Sequence, residues 1–290
     1  MVIYFHFQAP NGKGIRQGSC ISRIMCPQLR ELTEEVIMEF IHQKVEEAEA
    51  TGVVIGLSGG IDSAVTSRLS AEALGPHQVL NLFMPSRTTP AKDRKQVEAF
   101  CKQFGMELKV VDIAPAVDAL VKLLPELKDK QLLGNATARV RMIVLFHHAK
   151  LMNRLVMGTS NKSELLVGYF TKFGDGGADF CPIGDLYKSE VRELAHKIGV
   201  PDGIIDKVPS AGLWKGQTDE GEMGISYDDL DQVLIGFELN LSNDDIAHRT
   251  GLPLETVEKV WRMHRSTVHK RKTPLIPKLG FRTIGLDWRE

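Results

Sequence analysis

The chain has 290 residues, of which 43% are hydrophobic and 25% charged, and its formal net charge is -1. This is the composition of a globular chain, and the near-neutral balance excludes a general electrostatic field for nucleic acid or a membrane surface. Anion binding must therefore be local. No apolar run approaches the roughly 18 residues that a membrane span needs. The first residues, Met1 to Gln8, lack a basic leader followed by an apolar core. Cys20, Cys26, Cys101 and Cys181 are scattered, without metal-ligand spacing. They predict reduced thiols in a cytoplasmic protein. A chain of this length buries about three quarters of its unfolded surface and needs no staples.

Residues 1–26 have no clear period and contain Gly12, Gly14 and Gly18. They are expected to form a loose N-terminal extension, with Met25 as an alternative start, ahead of a single domain over 27–290. From Pro27 to Ala50 the apolar positions Leu29, Leu32, Val36, Ile37, Phe40, Ile41 and Val45 predict a helix, with Pro27 in its first turn. Strand and helix patterns then alternate. Strands are predicted over Val53–Leu57, Val79–Met84, Glu107–Val111 and Leu155–Thr159. Helices are predicted over Asp62–Leu74, Ala91–Phe104, Ala114–Leu124 and Asn135–Leu151. This order argues for an α/β fold, a doubly wound parallel sheet flanked by helices. Later helices are expected at Leu186–Ile198, Tyr227–Gly236, Ser242–Thr250 and Leu254–Thr267, giving a helical C-terminal part. Residues 201–226, rich in Pro, Gly and charge, read as a mobile active-site loop.

One turn carries the first chemistry. Gly56-Leu57-Ser58-Gly59-Gly60-Ile61-Asp62-Ser63 lies between an apolar strand and a helix. Glycines let the backbone approach a phosphate, and the free N–H groups of the helix's first turn point at it. Ser58 and Ser63 add hydroxyl donors. Asp62 would repel a bare polyphosphate, and suits a Mg²⁺ placed between them. The turn lacks the lysine of a Walker A loop. A second unusual stretch, Gly168 to Asp179, combines aromatics, a lysine, two aspartates and four glycines. Such a mixture fits a ligand with flat rings, phosphates and ribose hydroxyls.

The Ser-Gly-Gly-x-Asp-Ser set resembles the pyrophosphate loop of the N-type ATP pyrophosphatases. The resemblance narrows with Gly158 to Glu164, Gly168 to Asp179, Asn135 to Met142, Leu186-Tyr187-Lys188, Pro209 to Trp214, Gly216 to Glu220 and His269-Lys270-Arg271. Together these are similar to the NAD synthetase family over nearly all of residues 27–285. The resemblance implies a Rossmann-like, adenine nucleotide alpha hydrolase-like fold. It implies ATP binding by Gly56 to Ser63, Thr159, Lys188 and Ser210, with Met84 as a backbone contact to adenine. Asp62 and Glu164 would hold Mg²⁺. Arg139, Lys172, Asp179, His269 and Lys270 would bind deamido-NAD, across the interface of a homodimer.

The implied reaction is a ligation. The carboxylate of deamido-NAD attacks the α-phosphate of ATP, pyrophosphate leaves, and ammonia displaces AMP from the mixed anhydride to give NAD⁺, the last step of NAD biosynthesis. Asp62 and Lys188 would be the catalytic groups, by alignment and charge compensation. Either Asp175 or Asp179 would take a proton from ammonium. Ammonia is the expected nitrogen donor, because glutamine-dependent relatives carry an amidase domain before the synthetase part. Bland readings stand beside these. Lys188 alone would be a solvated helix charge, His269 to Lys272 a solvated basic tail, and one of Arg139 and Arg141 the partner of a buried acid. Two rival functions are a tRNA-modifying thiolase, which calls for paired cysteines or a basic chain, and a nucleotide-binding regulatory module without catalysis.

Overall fold

The computed structural model describes residues 27–214 and 216–283. The expected extension over 1–26, with Met25, Cys20 and Cys26, lies outside the described residues. Four parallel strands form the sheet: β1 (Val53–Gly56), β2 (Val79–Phe83), β3 (Glu107–Val110) and β4 (Leu155–Met157), in the order β3-β2-β1-β4. Val53 pairs with Val79 on one side and with Leu155 on the other. A parallel bridge from Met157 to Phe180 extends the sheet beyond β4.

Strand periodicity sorts the core. Val53, Ile55, Val79, Phe83 and Met157 face one layer, against α1 (Thr33–Glu47), α2 (Ile61–Leu74) and α3 (Ala91–Gln103). Val54, Leu80, Leu82 and Val156 face the other, against α4 (Ala114–Leu123) and α5 (Lys130–Met152). A strand buried on both faces must be apolar at every position, as β1 is. The exception is Asn81, fully buried on the α2 side. Its amide accepts from Ser67 Oγ at 2.7 Å and donates to the Glu107 carbonyl at 3.3 Å, so its polar atoms are satisfied.

Beyond the sheet come α6 (Lys162–Val167), α7 (Lys188–Lys197), α8 (Asp202–Ile205), α9 (Asp219–Met223), α10 (Tyr227–Glu238), α11 (Asn243–Thr250) and α12 (Leu254–Ser266). α7 and α8 join the first layer of core. The other five helices share a separate one around Tyr227, Leu230, Ile246, Val257 and Val260. Ser226 and Ser242 cap α10 and α11, accepting from Asp229 N and Asp245 N.

Several predicted boundaries move. The first helix starts at Thr33, not Pro27. Leu32 sits at its N-cap in the left-handed region, φ 61°, and breaks the helix there. Leu29 keeps the apolar period only because it packs on the core as a lead-in, its N–H donating to Glu193 at 3.1 Å. α5 starts five residues before Asn135, where Asp129 Oδ1 accepts from Gln131 N and Leu132 N at 2.9 and 3.0 Å. Helix α6 is unexpected. Residues 201–226 are not one loop, since they hold α8 and α9, the latter capped by Thr218. Among the described residues no helix is long and apolar enough to cross a membrane.

The junction of α6 with α12 is tight. Gly168 ends α6 with φ 68°, and a Cβ built there would lie 2.3 Å from Thr267 Cβ. Gly168→Ala combines left-handed strain with a clash. It is expected to destabilise the fold by about 1–3 kcal/mol, read as a lowered urea midpoint with an unchanged m-value. A midpoint equal to that of the parent would show that the junction relaxes.

Candidate active site

The sheet order reverses between β1 and β4, and ligands of such sheets bind in the crevice beyond the strand ends at that point. A cavity of about 520 Å³ opens there. After β1 the chain turns through Ser58 to Gly60, where Gly59 adopts φ 81°, a conformation that suits glycine. The two serines lock the turn. Ser63 Oγ accepts from Ser58 N at 3.2 Å and donates to the Gly60 carbonyl at 2.9 Å, while Ser58 Oγ accepts from Gly60 N at 3.2 Å. Gly60 is the N-cap of α2 and supplies no side-chain cap. The first-turn N–H groups are thus left for a ligand. Every residue from Gly56 to Ser63 except Gly59 lines the cavity.

The ionic centre lies beside this turn. Lys188, the first residue of α7, is 2% exposed. Its Nζ donates to Asp62 Oδ2 at 2.6 Å and lies 3.5 Å from Glu164 Oε1. Burial alone would lower the Lys188 pKa, but the Asp62 and Glu164 carboxylates outweigh it and hold the pKa above its ordinary value. Burial, then the Asp62 charge, pushes the Glu164 carboxyl above the usual carboxylate range. This lysine is no solvated helix charge.

Neighbouring side chains fix the three groups. Asn161 caps α6: its Oδ1 accepts from Glu164 N at 3.0 Å, and its Nδ2 donates to Asp62 Oδ1, also at 3.0 Å. Tyr227 OH donates to Glu164 Oε1 at 3.2 Å and to Asp219 Oδ2 at 3.3 Å. Fully buried Asp231 accepts from Ser163 Oγ, and from Ser189 N and Oγ at 3.0 and 2.8 Å. Ser163 Oγ in turn accepts from Lys188 N at 3.0 Å. Asp231 on α10 therefore positions the start of α7 and its lysine. Sequence reasoning assigned no role to Asn161, Tyr227 or Asp231. Asn161 carried a signal, since an Asn three residues before a Glu is a capping pattern. Tyr227 and Asp231 are ordinary helix positions and carried none.

Thr159, Met84 and Ser210 also line the cavity. The residues implied to bind deamido-NAD divide. Lys270 lines the cavity, and its Nζ donates to the Gly168 and Phe170 carbonyls, each at 2.8 Å. Arg139, Lys172 and His269 gather outside its lining: Arg139 Nε donates to the Lys172 carbonyl at 3.3 Å, and Lys172 Nζ to that of His269 at 2.8 Å. Asp179 lies apart from the cavity lining, with its Oδ2 accepting from Val156 N at 2.7 Å. Of the two candidate bases, only Asp175 faces the cavity. The segment around 270 is not a solvated basic tail, because Arg271 bonds the Leu165, Leu166 and His264 carbonyls at 2.8 to 3.2 Å. Neither Arg139 nor Arg141 forms a direct ion pair among the described residues, although Arg141 and Asp175 feel each other's charge. Arg141 instead donates from Nε to the Met84 carbonyl at 3.3 Å.

Comparison with known proteins identifies the family. Residues 33–274 match the family described as NAD synthase. The chain is 46% identical to an NH3-dependent NAD⁺ synthetase of Methanosarcina acetivorans over 252 residues, 86% of this chain and 98% of the relative. It is 44% identical to the protein of that name from Pyrococcus horikoshii, over 89% of this chain and 100% of the relative. Among solved structures, an NMN synthetase from Francisella tularensis superposes with a TM-score of 0.76 at 36% identity, over 85% of this chain and 98% of that one. An NH3-dependent NAD synthetase from Campylobacter jejuni gives 0.73 at 34%, over 85% and 97%. With a family match spanning most of its length and relatives this similar, the chain belongs to the NAD synthase family, ligases that form a carbon–nitrogen bond.

Proposed function

We propose that the cavity beyond β1 and β4 is where ATP meets the substrate carboxylate, with residues 27–290 acting as one catalytic unit in the cytoplasm. The overall reaction is that of the family, the ATP-dependent amidation of deamido-NAD by ammonia to NAD⁺. The observation that carries the site assignment is the buried contact of Lys188 with Asp62 and Glu164 beside the serine-locked turn.

The chemistry follows from charge. An oxygen of the nicotinate carboxylate forms a bond to Pα of ATP. The Pα–O bond to the β-phosphate breaks, and its electron pair leaves on pyrophosphate. Turn N–H groups and the Lys188 ammonium offset the charge that grows on that leaving group. Ammonia then adds to the activated carbonyl carbon, the carbon–oxygen bond to AMP breaks, and the proton shed by nitrogen passes to a base. Asp175, which lines the cavity with its Oδ1 accepting from Thr171 N at 2.9 Å, is the better placed candidate. Thr159 and Ser210 offer hydroxyls to ATP, and the Met84 backbone its adenine contact.

Asp62 and Glu164 are the residues that would hold Mg²⁺. Both offer hard oxygen donors, and Mg²⁺ is usually held by one or two carboxylates with phosphates and water completing the shell. Both carboxylates line the cavity beside the turn. When bound, the ion would neutralise phosphate charge and let ATP enter a cavity rich in carboxylates. Arg139, Lys172 and His269 form a basic rim suited to the second nucleotide half of deamido-NAD. The rim adjoins an apolar stripe on α5, where Ile143 is 62% and Leu151 69% exposed. A second copy of the chain would cover that stripe, placing the rim at a homodimer interface. Free thiols at Cys101 and Cys181, the first with its pKa pushed up to about 12 by burial, support the cytoplasmic setting.

Three outcomes are expected. Asp62→Asn and Lys188→Met should each lower deamido-NAD-dependent pyrophosphate release at saturating ATP at least about a hundredfold, the scale of losing one electrostatic stabiliser of a developing charge. Near-parental release from either would remove the ionic centre from catalysis. Deamido-NAD with ammonium should exceed nicotinate mononucleotide with ammonium in kcat/KM, and glutamine without ammonium should give no NAD⁺. The reverse order of substrates would align the chain with the mononucleotide-level activity in the name of its Francisella neighbour. Light scattering should give twice the chain mass, and Ile143→Asp should shift it to the monomer. A monomeric parent at micromolar concentration would refute the interface.

A further inference from the structure

The turn over 56–63 contains no lysine, although such turns commonly pair backbone N–H groups with one when they grip phosphates. A second lysine besides Lys188 reaches this turn from far along the chain. Lys207 follows α8, and its Nζ lies 3.4 Å from the Gly59 carbonyl, to which it donates, and 3.0 Å from Asp93 Oδ1 on α3. Gln96 Nε2 donates to the Gly203 carbonyl at 2.6 Å and anchors α8 on α3, so Lys207 is held near the turn by its scaffold.

The partners of Lys207 do not satisfy it. Asp93 is 6% exposed, and its Oδ1 has no hydrogen bond despite the short distance to Nζ. The pair is a charge contact with poor hydrogen-bond direction. The Gly59 contact is long for an ammonium donor. Lys207 lines the same cavity as Ser58, Gly60 and Lys188. An ammonium on a flexible stem, weakly engaged beside a phosphate turn, is free to turn toward a stronger anion.

We propose that Lys207 binds the pyrophosphate leaving group, moving from Asp93 to the terminal phosphates of ATP and thereby supplying the cation that the turn itself lacks. This rests on the reading of the turn as the ATP phosphate site. Asp93 holds the ammonium when no phosphate is present and competes with pyrophosphate for it. The two residues therefore have opposite effects on pyrophosphate affinity, although they form one ion pair. A purely structural tie would make their effects alike.

The test is inhibition by inorganic pyrophosphate against ATP, with AMP inhibition measured alongside, on the full-length enzyme. Lys207→Gln should raise the pyrophosphate Ki about tenfold or more, the usual effect of losing a charge-assisted contact, and leave the AMP Ki within about twofold. Lys207→Arg should recover part of the loss. Asp93→Asn should lower the pyrophosphate Ki. Equal Ki values for Lys207→Gln and the parent would overturn the proposal. So would parallel weakening of AMP and pyrophosphate, or the same loss in Lys207→Gln and Asp93→Asn, since each marks a structural tie. If the parent itself shows no inhibition by pyrophosphate, the reading of the turn as the phosphate site fails instead. Thermal melting of each variant checks folding, and Lys207→Arg carries the same prediction should Lys207→Gln not fold.

Discussion

The structure depends on one costly arrangement, the burial of the Lys188 ammonium between two carboxylates. Removing such charges from water costs several kcal/mol per ion. Lys188 also begins α7, where the helix dipole presents positive charge, so its own helix disfavours a cation there. Asp62, in the first turn of α2, has the opposite and favourable placement. The cation is held by its partners and not by its helix. Each partner needs its own support, from Asn161 on Asp62 and from Asn161 and Tyr227 on Glu164. A buried polar cluster is rigid when each member is satisfied. This one joins the turn after β1, the helix after β4, and helices α7 and α10.

That linkage explains why the helical C-terminal part belongs to the site. Tyr227 is the largest fully buried side chain among the described residues and packs in the core shared by α6 and α9 to α12. Its hydroxyl leaves that apolar core to reach Glu164 and Asp219. Asp231, one turn further along α10, is spent on Ser163 and the start of α7. Packing of the C-terminal helices thus sets the position of two polar atoms at the ionic centre. The segments that follow β1 and β4, paired neighbours in the sheet, supply the two carboxylates, Asp62 and Glu164.

Much of this was legible in the residues themselves. Strands β1, β2 and β4 stood out because each is short, largely apolar and ends at a turn signal, and β3 because Leu108 and Val110 alternate with Glu107 and Lys109. The turn over 56–63 stood out because its glycines and serines are local in sequence. The boundary errors share a physical cause. Leu29 and Leu32 keep a helical spacing although Leu32 is left-handed and 62% exposed, since apolar spacing alone does not fix the backbone angle. Helix α6 is too short to show a period at all, and only its capping pair marks it. Asp231 and Lys207 were silent for another reason. Their partners lie 42 to 148 residues away in sequence, and no local pattern records such a contact.

The charge of the cavity wall bears on how it accepts a polyanion. Asp62, Asp93, Glu164, Asp175, Asp219 and Glu222 line it, against Arg141, Lys188, Lys207 and Lys270. Carboxylates outnumber basic groups, and the basic groups are mostly engaged. Lys188 is held by Asp62, Lys207 by Asp93, and Lys270 by two carbonyls. ATP entering alone would meet repulsion at the same side chains that orient Lys188. The divalent cation proposed above would weaken this repulsion, because it neutralises part of the phosphate charge and offers the carboxylates a positive partner. A wall of this kind selects the charge state of its ligand. With the proposed Mg²⁺ held there, Asp62 and Glu164 would gain a second positive partner beside Lys188. The ionic centre, costly to bury in the free protein, would then be the feature that the proposed ligand relieves.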